Sequence, residues 1–280
     1  MKAGLESQTA VMVAVGRALA DGAESEFRDP TAYTLLPDEA RRRVDAIKAN
    51  QRPRRWRDRM MNEFRKKQAL VTIARTVAID RVVREAGAAQ VVILGAGLDG
   101  RAWRMLELRD AVVFEVDHPD SQRAKQARAA ALTPAAREIR FVPVDFQRDR
   151  LDEALARAGH DTAMPTTWIW EGVVMYLTPA DVEATLAILA ARSAPGSRLV
   201  ILYHAPALIR HLIGLLVRRM GEPLRSAFTA ADMRALLGRH GFGVVRDDDL
   251  SVVGAAMSPA IRETTRRAAH MRIVVGERGR

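Results

Sequence analysis

The chain has 280 residues, 48% of them hydrophobic and 28% charged, with a formal net charge of +10 and no cysteine. Such a chain is long enough for one large core, or for a core carrying a sizeable extension, and its composition is that of an ordinary globular protein. Disulfides, thiolate metal sites and a cysteine nucleophile are excluded, and no apolar run reaches the roughly eighteen residues of a membrane helix. The first residues lack the charged, apolar and small-residue layout of a secretory signal, so a cytoplasmic location is expected.

In chain order, the first ninety residues read as helical, and residues 1–86 are expected to form a helical cap within the same domain as the rest. Residues 41–67 hold twelve Arg or Lys, from Arg41 to Lys67, against only Asp45, Asp58 and Glu63. A solvated helical face is the favoured reading of this run. A phosphate-binding patch and a cationic entrance for an anionic small substrate are the alternatives. From about residue 57 to 86, Leu70, Ile73, Val77, Ile79, Val82 and Val83 recur at helical spacing and predict one long helix, stopped by Gly87.

From residue 90 short apolar runs alternate with helical segments. The runs are 91–94, 112–116, 139–144, 167–170 and 198–203, with two later strands at about 243–247 and 271–275. Runs of this length, rich in β-branched residues, fit strands covered on both faces. Helices are expected between them at 121–132 and 179–192. The alternation predicts an α/β, doubly wound seven-stranded sheet across 87–280. An apolar and basic stretch at 209–224, within an insertion at about 205–228, is expected as a lid or core helix.

The strongest local signal is Leu94-Gly95-Ala96-Gly97-Leu98-Asp99-Gly100-Arg101, directly after the first strand. Glycines here let the backbone turn tightly and approach a ligand where a Cβ would collide. Asp117 ends the second strand, where a carboxylate can accept hydrogen bonds from both hydroxyls of a ribose. In open α/β sheets ligands bind beyond the carboxyl ends of the strands, so both features point to one crevice. Gly95, Gly97 and Gly100 also satisfy the dinucleotide G-x-G-x-x-G formula, so the loop alone suits an NAD(P)-dependent oxidoreductase nearly as well as a methyltransferase. Three features favour the latter. Asp145 and Phe146 follow the third strand, where an acid and a ring suit an adenine. Glu171 follows the fourth strand into the same crevice. A long helix precedes the loop, whereas dinucleotide domains often begin close to it.

Residues 91–104 (VVILGAGLDGRAWR), 114–119 (FEVDHP) and 171–179 (EGVVMYLTP) together resemble the leucine carboxyl methyltransferase family, and its bacterial branch of polyketide-type O-methyltransferases in particular. The resemblance covers roughly residues 20–250. It implies a class I, Rossmann-like fold and S-adenosyl-L-methionine as cofactor. Gly95, Ala96 and Gly97 match the loop that passes the methionine moiety, and Asp117 matches the ribose-binding acid. Asp145 and Phe146 fall where the family holds the adenine, and Glu171 matches an acid near the cofactor's amino group and the transfer site. Arg75 resembles the arginine that pairs with the cofactor carboxylate, and Arg28 a basic residue of the segment that closes over the cofactor. Relatives commonly carry threonine where this chain has Gly100.

The expected reaction is O-methylation of a small acidic or aromatic metabolite, with a carboxylate ranked ahead of a phenol or enol. A carboxylate is already ionised and needs no base, whereas a phenol with a pKa near about 10 benefits from one. Glu171, Tyr203 and His204 are the candidate catalytic residues, with His204, beside Tyr203, as the candidate base, and Arg28 with the basic 41–67 run could hold an acidic acceptor. No histidine spacing suits a metal, so none is expected. Membrane and nucleic-acid partners are not expected, although an RNA-binding protein or RNA methyltransferase is a further reading of the basic run. A monomer or homodimer is anticipated.

Overall fold

The structure, a computed structural model, describes residues 7–22, 27–51, 53–146, 148–207 and 224–279. Most of the insertion expected at about 205–228, including nearly all of 209–224, lies outside the described residues.

Four helices precede the sheet: α1 (Gln8–Ala20), α2 (Pro30–Leu35), α3 (Asp38–Lys48) and α4 (Trp56–Ala86). The side chain of Ser7 accepts the Ala10 N–H to start α1, and Asp29 accepts the Ala32 N–H to start α2. As anticipated, α4 is a single long helix that stops at Gly87, which takes the left-handed conformation with φ 54° and donates its N–H to Val83 O. Its buried residues run from Ala69 to Val83, so its first turns stand clear of the core.

Seven strands follow: β1 (Gln90–Leu94), β2 (Val112–Asp117), β3 (Glu138–Pro143), β4 (Thr166–Trp170), β5 (Arg198–His204), β6 (Phe242–Asp249) and β7 (Met271–Arg278). They form one sheet in the order β3-β2-β1-β4-β5-β7-β6. The first five are parallel, as the βα alternation predicts, and α5 (Arg101–Arg104), α6 (Pro119–Ala129), α7 (Leu151–Arg157) and α8 (Pro179–Ala191) lie in their connections. The last strand departs from a wholly parallel sheet: β7 inserts between β5 and β6 and runs antiparallel to both. Antiparallel neighbours need no crossover, so the chain can turn back beside β6 through short helices alone.

Alternate residues of β1 feed two cores. Val91 and Ile93 join a cluster with Ala14, Val15 and Val82 of the N-terminal helices, while Val92 and Leu94 join Leu155, Leu186 and Trp168 on the other face. The helical cap therefore shares a core with one face of the sheet. Trp168 and Trp170 are fully buried in the second core.

Candidate functional site

The loop after β1 turns through two positive-φ glycines, Gly95 at 65° and Gly97 at 47°. The N–H groups of Gly95 and Ala96 both donate to Val116 O, at 2.8 and 3.0 Å, which ties the loop to the end of β2. A Cβ on Gly95 would lie 2.3 Å from Val173 Cγ2, and one on Gly97 3.0 Å from the Ala10 methyl of α1. Neither glycine could be replaced without moving a neighbour. At the end of β2, one Asp117 oxygen takes the Gly97 N–H and the other takes the His118 N–H at 2.6 Å. Burial pushes the Asp117 carboxyl up, and the two backbone donors oppose that push. Val144 donates to Asp117 O at 2.9 Å, which sets the segment carrying Asp145 and Phe146 beside it. Asp145 is half-buried, with its N–H bonded to Asp149, and Phe146 is 45% exposed.

Gly100 has a different cause. Its φ of −107° is open to any residue, but a Cβ there would lie 2.1 Å from Thr31 Oγ1 and 3.1 Å from Asp29 Oδ1. Thr31, which the start of α2 brings in, fills this space and donates its hydroxyl to Asp29 Oδ1 at 2.7 Å. The third glycine of the literal G-x-G-x-x-G thus accommodates the start of α2, a packing cause that is independent of any ligand.

Beside this loop lies a closed set of charges. Glu171, just past β4, pairs with Arg75 Nε at 2.9 Å through one oxygen and with Arg101 Nη1 at 3.0 Å through the other. Arg101 also holds Asp80 at 2.7 Å and Asp99. Arg104 bridges Asp80 at 2.7 Å and Asp29 at 3.5 Å, and Asp29 reaches Arg17 of α1 at 3.2 Å. Four arginines thus face four carboxylates, all with side chains less than a tenth exposed. Burial alone would raise the Asp80 carboxyl, but Arg104 and Arg101 hold it below the usual carboxylate range. Asp99 is likewise held low against burial, by Arg101 and Arg17. Burial lowers Arg75, with Glu171 pulling the other way. Although Arg75 and Glu171 are in ion-pair contact, Arg75 Nε and Glu171 Oε1 lack an aligned hydrogen bond, as does Arg101 Nη2. Buried charges without full hydrogen bonding are costly and mark places where a further polar partner fits.

The structure thus brings Arg75, Gly95, Ala96, Gly97, Asp117 and Glu171 together at the carboxyl ends of β1, β2 and β4. Tyr203 lies apart. It is fully buried, its hydroxyl donates to Asp247 at 2.9 and 3.0 Å, and it accepts from Arg272 Nε at 3.0 Å. Burial and the Asp247 carboxylate push the phenol well above its ordinary pKa. His204 is buried at the end of β5, edge-on to His270 with ring centroids 5.4 Å apart. Arg28 is exposed, with its guanidinium against Gly22. His118 caps α6 by accepting the Asp120 N–H. Among the described residues, no group of three His, Asp or Glu side chains is arranged to hold a metal.

Sequence reasoning missed Arg17, Asp29, Asp80, Arg101 and Arg104. One signal was available: Arg75 and Asp80 interrupt the apolar stretch of α4 that goes on to be buried, and charges in such a stretch require partners.

The model of the leucine carboxyl methyltransferase family matches residues 10–190. The chain belongs to that family. A protein of Mycolicibacterium paratuberculosis, provisionally named as an S-adenosyl-L-methionine-dependent methyltransferase, is 39% identical over 209 residues, which cover 71% of this chain and 67% of that protein. A Mycolicibacterium gilvum protein with the same name is 40% identical over 154 residues, 54% of this chain and 49% of that one. The chain thus spans about half to two thirds of the length of these curated relatives. The crystal structure of a DUF574 family protein from Streptomyces avermitilis superposes with a TM-score of 0.62 at 15% identity, covering 98% of both chains, and so shares the fold. As a member of this family, the chain is an S-adenosylmethionine-dependent methyltransferase.

Proposed function

We propose that the enzyme methylates an oxygen of a small acidic molecule, a carboxylate in first place and a phenol or enol in second. The observation that carries the cofactor side of this reading is the Arg75–Glu171 pair beside the glycine loop. It is a buried cation and anion in contact, each with an atom lacking an aligned hydrogen bond. That chemistry fits the amino-acid end of the cofactor, with Arg75 toward its carboxylate and Glu171 toward its ammonium group. Gly95, Ala96 and Gly97 would flank the same end. Asp117, held by two backbone N–H groups, would take the ribose hydroxyls, Asp145 and Phe146 the adenine, and Arg28 would approach from the N-terminal segment. When bound, the cofactor supplies a methyl group already activated on a sulfonium.

The protein's own task is then to hold the acceptor oxygen in line and to keep water out. Positioning of this kind supplies up to about 7–11 kcal/mol of a barrier. A carboxylate acceptor asks for no base. Tyr203 is committed to Asp247 and Arg272 and its phenol is pushed further from ionisation, which leaves His204 as the base proposed for a phenol. The net charge of +10 draws anionic acceptors toward the surface. Neither the nicotinamide nor the RNA reading gains support from the family match or the relatives.

The test is a panel of carboxylic acids and phenols incubated with methyl-labelled cofactor, with the products then exposed to mild base. A methyl ester releases labelled methanol. A label that stays on the product after base treatment, as in an aryl ether, would reverse the ranking of acceptors.

A further inference from the structure

The first turns of α4 carry an apolar stripe that faces away from the rest of the protein. Trp56, Met60 and Phe64 recur every four residues and so share one helical face, and they are 63%, 59% and 44% exposed. The face that turns toward the body is marked instead by Asn62 and Arg65, half-buried, and by Ala69, buried. An outward stripe of three large apolar side chains is the reverse of what packing on the domain requires.

Around the stripe the charge is one-sided. From Arg54 to Lys67 there are seven basic residues, Arg54, Arg55, Arg57, Arg59, Arg65, Lys66 and Lys67, against Asp58 and Glu63. Lys66 pairs with Glu63 at 3.0 Å, but Arg54, Arg55, Arg57 and Lys67 have no carboxylate within ion-pair distance among the described residues. The four arginines from Arg54 to Arg59 line a shallow hollow with the Trp56 indole, and the Arg57 guanidinium lies 5.7 Å from the centre of that ring.

We propose that this end of α4 docks the enzyme on an anionic lipid surface. Trp56, Met60 and Phe64 would enter the headgroup boundary, with the surrounding arginines and lysines on lipid phosphates and carboxylates. The combination of stripe and charge selects this occupant. A second copy of the chain would bring like-charged helices together, and the Coulomb term opposes that pairing. A nucleic acid would take the arginines but leave Met60 and Phe64 in water. An interfacial helix with basic flanks and a tryptophan-bearing apolar face uses both features. The inference does not depend on which acceptor is methylated. It differs from the expectation of no membrane partner, which was drawn from spanning segments and from 209–224.

The test is co-sedimentation of the full chain with vesicles of phosphatidylcholine alone and of phosphatidylcholine with phosphatidylglycerol, at low salt and at half-molar salt. Binding is expected to the anionic vesicles only, and to weaken with salt. The variant Trp56→Ser/Met60→Ser/Phe64→Ser should require at least tenfold more lipid for half-binding while keeping its thermal midpoint, because these side chains leave the core untouched. Arg54→Glu/Arg55→Glu/Arg57→Glu should abolish binding. Equal binding to neutral vesicles, no binding at all, or full retention by the triple serine variant would each overturn the proposal. So would a dimer in sedimentation velocity that the serine variant dissociates, since the stripe would then belong to a second copy.

Discussion

At the β5–β7–β6 edge, Tyr203, Asp247 and Arg272 satisfy one another: the phenol donates to both carboxylate oxygens, and Arg272 donates to the phenol and to Asp247. At the β1–β4 crevice, Arg75, Glu171 and Arg101 are buried as deeply, yet each keeps a polar atom outside any aligned hydrogen bond. Both regions place polar groups at strand ends, and both shift pKa values. A perturbed group alone therefore does not mark a site. The difference lies in satisfaction: the edge cluster is complete as a structural pin, while the crevice keeps buried charges with unfilled hydrogen-bonding capacity, as the proposed zwitterionic end of the cofactor requires. The crevice set also ties α1, α2 and α4 to the loops after β1 and β4, through Arg17, Asp29 and Asp80. Fold and site are thus coupled at one end of the sheet and separate at the other.

The largest test of that coupling is Arg101→Met. It removes the cation that faces Asp80, Asp99 and Glu171 and leaves buried carboxylates short of a partner, at a cost of about 3–5 kcal/mol. The thermal midpoint should fall by about 10 °C or more, and cofactor affinity should fall with it, because Glu171 loses one of its two anchors. A variant that kept its midpoint in calorimetry would mean that the charge set is not a structural unit. Asp117→Ala should act differently, lowering S-adenosylhomocysteine affinity by about a hundredfold, some 2.7 kcal/mol, while leaving the fold intact. Titration calorimetry showing unchanged affinity would sink the assignment of the ribose site.

Much of the fold was legible because parallel strands buried on both faces read as continuous apolar runs, and because glycine at 87 and the strand–helix alternation punctuate them. The reversed β7 was not legible, since an apolar run such as 271–275 carries no sign of its direction. In the site, Gly95, Gly97 and Asp117 stand next to strand ends and could be placed by topology. The partners of Glu171 could not, because Arg101 lies 70 residues before it in sequence and Arg75 further still, and the three meet only when α4 packs beside the glycine loop. Gly100 was open to two readings in the sequence; the close approach of Thr31 gives it a packing cause, and the family match decides the cofactor. The outward stripe at Trp56, Met60 and Phe64 was hidden among arginines, and only the division into buried and exposed faces isolates it.

A smaller effect is expected at the opposite edge. Tyr203→Phe removes a hydroxyl from a satisfied cluster and should cost about 1–2 kcal/mol of stability, with kcat within a factor of about three, as expected of a hydroxyl committed to Asp247 and Arg272. A loss of kcat of a hundredfold or more, with affinity retained, would move Tyr203 into the catalytic site and erase the distinction between the two regions.

The smallest effect lies in His160, behind the sheet's second core. Burial, then the nearby Arg192 charge, depresses its pKa to about 4. Its ring packs between Phe114 and Trp168, at 5.5 and 5.1 Å, and its Nε2 meets Thr166 Oγ1 at 3.0 Å. The folded protein thus keeps this ring neutral, whereas the unfolded chain binds a proton below about pH 6.5. Stability contributed by the neutral ring is complete above that pH and is lost as the pH falls toward 4, by about 1 kcal/mol or less at pH 6. His160→Gln, which keeps a polar group near Thr166, should flatten the thermal midpoint between pH 6.5 and 5 relative to the unsubstituted chain. Because His160 lies in neither polar cluster, cofactor affinity should not follow the same curve. If it did, the crevice and the second core would be linked, and the boundary drawn between site and scaffold would have to move toward β4.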